Sequence, residues 1–133
     1  MELTRALNLP GTAQRSRLDR DEGRLVGSRC TSCGATSWPA RAICHRCGEP
    51  AMETHRFEPR GTLITHTEVW TPRPGLSVPY RLGQVWLDDG PAIFCHVREL
   101  APGRPVPLPV RLVLSADEVA VPPFWFEPEE GGR

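Results

Sequence analysis

The chain has 133 residues in which sixteen arginines, with no lysine, meet sixteen acids, so its formal charge is zero. Residues 1–60 carry ten arginines and seven acids and residues 61–133 six and nine, so neither half has the basic excess of a general nucleic-acid binder. No run approaches eighteen apolar residues, so no helical membrane span is expected. The length suits one core burying roughly two-thirds of its unfolded surface, or two small lobes if a metal supports one of them.

In chain order, residues 1–22 mix arginine and acid with scattered Leu3, Leu7, Leu9 and Leu18, and Pro10-Gly11 breaks any long helix. This predicts an N-terminal helical segment, its helix over about residues 12–22 and marginal alone. Charged residues occupy the place of a secretory apolar run, so a cytoplasmic protein with reduced thiols is expected.

The next stretch, "CTSCGATSWPARAICHRCG", runs from Cys30 to Gly48 and holds four of the five cysteines in two CxxCG units, with ten residues between the inner pair. A disulfide framework does not suit a cytosolic chain. A thioredoxin-like dithiol needs a single CxxC opening a helix, whereas here the unit repeats and each copy ends in glycine, Gly34 and Gly48. That is the pattern of two zinc knuckles. After the second thiolate the backbone turns tightly so that peptide N–H groups face sulfur, and glycine takes the positive φ this requires. Cys30, Cys33, Cys44 and Cys47 thus form a closed tetrahedral shell for one structural Zn²⁺, leaving His45 outside it and exposed.

Past residue 59 five strands are predicted: 61–70, 81–87, 92–100, 109–114 and 119–126, each alternating or β-branched. Asp88-Asp89-Gly90-Pro91 and Ser115-Ala116-Asp117-Glu118 read as tight turns, while "TPRPGLSVPY" and "APGRPVPLP" are long proline-rich loops. Two hairpins joined by long connections match a five-stranded OB-fold barrel, with an open sandwich as the alternative. The expected organisation is mainly β: 1–22 N-terminal helical segment, 23–58 rubredoxin-like zinc ribbon, 59–128 OB-fold, 129–133 flexible tail.

The knuckles, "WPAR" (38–41), "RGTL" (60–63) and "PGLSVPY" (74–80) fall in an order that closely resembles the zinc-ribbon and OB-fold proteins grouped as domain of unknown function 35, over about residues 18–128. The resemblance implies a non-catalytic accessory subunit in a hetero-oligomer with a thiolase-like acyl-CoA enzyme: a thiolase, aldolase or synthase of lipid or steroid metabolism. Such a subunit helps to bind or channel a CoA-thioester substrate shared with its partner. It implies that the four cysteines match the zinc ligands, that Arg41 matches the arginine after the family's prolines, and that Pro74, Gly75, Pro79 and Tyr80 match its loop motif. Trp38 and Ala40 stand where the family has phenylalanine and proline, beside the ribbon.

Arg41 suits either a CoA phosphate, which a guanidinium binds bidentately, or an ion pair with a nearby acid. The loop around Leu76 is either a docking surface with prolines limiting its entropy loss or a segment packed on its own barrel. Trp70 and Trp86 read as core rather than as base-stacking platforms, Cys95 as a buried hydrophobe, and His55, His66 and His96 as structural or surface histidines. No acid, base and nucleophile set emerges. The competing functions are a single-stranded nucleic-acid module, disfavoured by charge, a subunit of an acyl-CoA hydratase, and an independent hydrolase or hydratase using acids such as Asp88, Asp89 or Glu99.

Overall fold

In the computed structural model, which describes residues 17–117 and 120–129, the chain divides into two units, Met1–Phe57 and Glu58–Arg133. The described residues contain strands and no helix. Residues 12–16 of the expected N-terminal helix lie outside them, and over 17–22 the expectation is corrected. Leu18–Asp19 (β1) pairs with Arg24–Leu25, and Asp19 Oδ1 accepts the N–H groups of Asp21 and Glu22 at 3.1 and 3.0 Å. Gly23, at φ 69°, donates to the Asp19 carbonyl at 2.8 Å. An aspartate that captures the following amides competes with helix, and here it shapes a hairpin.

In the first unit, β2 (Arg24–Cys30) is the spine. It pairs antiparallel with β1, with β3 (Thr36–Ser37) and with β4 (Met52–Arg56), so that Cys30 lies opposite Met52. Leu25 and Phe57 are fully buried, and around the cysteines the core is only Cys30, Ala35 and Cys44 with Cys33 and Met52 packed against it. Gly27 is required by space: a Cβ there would run into the Ser37 carbonyl and the Phe57 ring.

The second unit is one sheet of β5 (Arg60–Val69), β6 (Tyr80–Leu87), β7 (Ala92–His96), β8 (Leu108–Leu114) and β9 (Phe124–Pro128), in the order β7-β6-β5-β8-β9, all neighbours antiparallel. Its strands follow the sequence expectation to within two residues except at two ends. The third stops at His96 because Glu99, at φ 58°, turns the chain, and the fifth begins at Phe124 after Pro122-Pro123, since proline cannot donate to a ladder. The expected barrel is not closed by a ladder. β7 and β9 meet at one isolated parallel bridge, Val97 to Phe126, beside which Arg98 N–H donates to the Phe126 carbonyl at 2.9 Å. Leu63, Val85, Leu87, Ile93, Cys95, Val97, Val110 and Phe126 form the core. Gly61 of "RGTL" sits where a Cβ would lie 2.6 Å from the Trp86 carbonyl oxygen, which explains glycine in a central strand.

Candidate functional site

The two knuckles have the same local geometry. In the first, Cys30 N–H donates to the Ala35 carbonyl at 2.8 Å and Gly34 N–H to the Cys30 carbonyl at 2.9 Å; in the second, Cys44 N–H donates to Glu49 at 2.9 Å and Gly48 N–H to Cys44 at 3.0 Å. Gly34 and Gly48 have φ of 83° and 79°, as the turn chemistry requires. The N–H groups of Arg46 and Cys47 lie 3.3 and 3.4 Å from Cys44 Sγ, and the Arg46 guanidinium donates to the Cys33 carbonyl at 2.8 Å, tying one knuckle to the other.

The four sulfurs lie within 4.8 Å of one another, with Cys30–Cys47 at 3.6 Å and Cys33–Cys44 at 3.5 Å. A tetrahedron with Zn–S bonds of about 2.3 Å has edges of about 3.8 Å, so the set fits zinc and is far from disulfide length. Electrostatics agree. The N–H groups of Cys47 and Arg46 bring the Cys44 thiol down to about 6, and the Ala35 N–H lowers Cys33. Cys47, although the Glu49 N–H favours its thiolate, is pushed up to about 12 by desolvation and by its sulfur neighbours. Four thiolates this close need a dication, and the cluster holds one structural zinc with no open coordination position.

His45 is exposed, as expected, its Nδ1 3.2 Å from Ser37 Oγ. Trp38 is half-buried; its Nε1–H donates to the Arg17 carbonyl at 3.3 Å and the Arg17 guanidinium lies 5.8 Å from its ring. Arg41 is exposed. Its N–H donates to the buried Ser28 hydroxyl at 3.0 Å and its Nε to the Ile43 carbonyl at 3.4 Å, and among the described residues it makes no ion pair.

In the second unit Pro74, Gly75, Leu76 and Pro79 lie in the β5–β6 loop, and Tyr80 opens β6. Leu76 and Tyr80 are half-buried and the other three exposed. Gly75 has φ 82°, Leu76 N–H donates to the Arg73 carbonyl at 3.0 Å, and Gly75 rests against Val121. The loop borders a groove of about 530 Å³ lined by Pro79, Tyr80, Arg81, His96, Arg98 and Glu99 among others. The Tyr80 and His96 rings lie 5.4 Å apart, inclined by 35°, and the Arg98 guanidinium stacks 3.9 Å from the Trp125 ring.

The groove lining beyond Tyr80 was absent from the sequence expectation, because His96, Arg98 and Glu99 carry no motif and converge only through the β6–β7 register and the positive φ of Glu99. Trp70 and Trp86 correct it outright: they are 64% and 58% exposed. Trp86 falls between Val85 and Leu87, which take the inward positions, so strand parity turns it outward. Cys95 is buried, its thiol pushed up to about 12 by burial. His66 is structural: Arg81 Nη1 lies 3.1 Å from its Nδ1, and since arginine only donates, Nε2 carries the hydrogen and donates to the Arg104 carbonyl at 3.0 Å.

Burial, then the charges of Arg98 and Arg73, hold the His96 imidazole below its usual 6.5. The folded chain therefore binds fewer protons than the unfolded chain between that lowered value and 6.5, and in this window stability rises with pH. Urea unfolding between pH 7.5 and 5.5 is expected to show a shallower loss of stability on acidification for His96→Gln than for the parent; an unchanged slope would contradict this.

The fold and site define a class: a zinc-ribbon protein carrying a separate five-stranded antiparallel sheet. Residues 19–53 match the rubredoxin-like zinc ribbon domain of ChsH2. A DUF35 domain-containing scaffold protein of Pyrococcus furiosus is 32% identical over 106 residues, 74% of this chain and 77% of that one. This chain belongs to the DUF35 family. The benzoylsuccinyl-CoA thiolase subunit BbsA of Thauera aromatica is 30% identical over 79 residues, 59% of this chain, which matches about half (54%) of that subunit's length. Among solved structures, the Ltp2-ChsH2(DUF35) aldolase superposes with TM-score 0.66 at 26% identity, covering 81% of this chain and 87% of that one. A DUF35 protein of unknown function from Sulfolobus solfataricus has TM-score 0.60 at 15% identity over 96% and 95%, a likeness of fold alone.

Proposed function

We propose that this chain is a non-catalytic accessory subunit of a thiolase-like acyl-CoA enzyme, docking on it and helping to hold or channel the CoA-thioester. The observation that carries the reading is the kinship with a thiolase subunit and with the DUF35 chain of an aldolase assembly. The exposed proline loop supports it. Pro74, Pro79 and the Arg73–Leu76 turn leave that segment little entropy to lose on binding, and Tyr80 continues it into the groove. Arg41 and Trp38 are the ribbon residues assigned to partner or CoA contact, Arg41 because among the described residues its guanidinium pairs with no acid. The five-stranded sheet is taken as an OB-type barrel, a reading supported by its strand order and the β7–β9 bridge. The ribbon (23–58) and barrel (59–128) are taken as the two working modules, cytoplasmic in a hetero-oligomer, with the carbon–carbon bond chemistry left to the partner.

The test is co-expression with each thiolase-like enzyme of the source genome. A zinc-containing heteromer whose thioester-cleaving or thioester-forming activity needs both chains is expected. Turnover by this chain alone, or failure of every such enzyme to bind it, would overturn the reading.

A further inference from the structure

The outer face of β5–β6–β7 has a composition that the loop and groove do not explain. Register places Thr65 beside Gln84, Gln84 beside Phe94, and Trp86 beside Ala92. Their strand neighbours Val85, Leu87, Ile93 and Cys95 are buried, so this set points outward. Trp86 is 58% and Phe94 66% exposed, on diagonally adjacent positions, a spacing that long aromatic side chains can span. The row continues along β6 and β5 with Leu82 and Thr67, and an arginine enters it at the start of β5, where Arg60 shares the parity of Thr62, the residue opposite Trp86, and is paired with Glu129 at 2.7 Å. Arg81 and Glu68 have the opposite strand parity and pair with each other at 3.3 Å.

From this the geometry points to a docking face for the uncharged, apolar surface of a protein partner, anchored by Trp86 and Phe94. The occupant is the thiolase-like enzyme, and this inference rests on the reading of the chain as that enzyme's subunit. Charge matching selects the partner's chemistry. An acid brought onto the aromatic pair would lose its water, and the neighbouring Arg60 is already paired with Glu129. Aromatics on a sheet face also stack bases, but single-strand binders pair them with cations that follow the phosphates, and the arginine beside this face, Arg60, is paired with Glu129. Exposed aromatic pairs of this kind act as interface hot spots. The face is also continuous with the groove, because Tyr80 and His96 stand on the same side of β6 and β7 as Trp86 and Phe94 and line the groove themselves. A partner covering the aromatic pair would therefore reach the groove's rim.

The experiment uses full-length chain and the thiolase-like enzyme that co-purifies with it, comparing Trp86→Glu, Phe94→Glu and the double variant with Ala116→Glu in the β8–β9 turn. Zinc content and melting temperature establish that each variant is folded, which the exposure of both aromatics leads us to expect. Each single substitution should weaken the complex roughly 30-fold and the double variant more, with Ala116→Glu within about twofold of the parent. If the parent binds and the double variant binds equally well, the face is refuted while the subunit reading stands. If no thiolase-like enzyme binds the parent, both fall. A parent dimer that Phe94→Glu converts to monomer would assign the face to a second copy, and oligo-dT binding lost in Trp86→Glu would assign it to nucleic acid; either overturns the inference.

Discussion

Cys47→Ser is expected to abolish zinc binding and unfold the first unit. The reason lies in how little else holds it: around the knuckles the core is Cys30, Ala35 and Cys44 with Cys33 and Met52, three of which are zinc ligands themselves. A lobe of this size buries too little apolar surface to offset its chain entropy, and binding free energies of about 10–16 kcal/mol for structural zinc make metal binding and folding one event. Loss of one thiolate leaves three sulfurs arranged for a cation with one corner open, and serine cannot restore the N–H-to-sulfur pattern. Cys30→Ser should be as severe, since Cys30 also ends β2, where its backbone N–H meets the Ala35 carbonyl. Native mass spectrometry should find one zinc per parent chain and none in either variant, and a strong chelator should reproduce the mutant far-ultraviolet spectrum. Retention of zinc with parental thermal stability would refute the account.

Some features of this fold are written locally in the sequence. A knuckle is a short-range object: the CxxCG spacing, the glycine at positive φ and the amides facing sulfur are decided within five residues, so sequence alone places the zinc site. Strand parity is nearly as local, and the alternation of Val85, Leu87, Ile93, Cys95 and Val97 locates the core of the second unit. What sequence does not disclose depends on register. The irregularity between Leu63 and Thr65 shifts the rest of β5 by one residue, which turns His66 and Glu68 to the same side as Arg81 and builds their polar cluster. The general preference of large aromatics for cores points Trp86 inward, and the two flanking aliphatics on the same strand, Val85 and Leu87, override it. The turn at Asp19 was hidden because leucine and arginine spacing mimics a helix, while a single carboxylate accepting two amides decides otherwise.

Phe126→Ala should produce the largest loss of stability in the second unit, roughly 3–5 kcal/mol, the usual cost of removing a buried phenylalanine. Phe126 is fully buried on β9, opposite Leu112 of β8, and packs edge-on against Phe124 at 6.5 Å. It is also where the two ends of the sheet meet, bridging Val97 and accepting the Arg98 N–H. A cavity here has little means of collapse, because the residue is held by a ladder on one side and by the bridge on the other. For a unit of about 75 residues, each kcal/mol moves the melting temperature by about 4–8 °C, so calorimetry should show the zinc-independent transition falling by more than ten degrees. The chain segment that carries Arg98 and Glu99 into the groove is attached through that bridge, and its amide exchange should accelerate before the sheet itself melts. Phe126→Leu, which keeps most of the volume, should cost under half as much and leave exchange at Arg98 close to the parent. Equal losses from the two substitutions would place the effect in the aromatic contact with Phe124 rather than in the cavity.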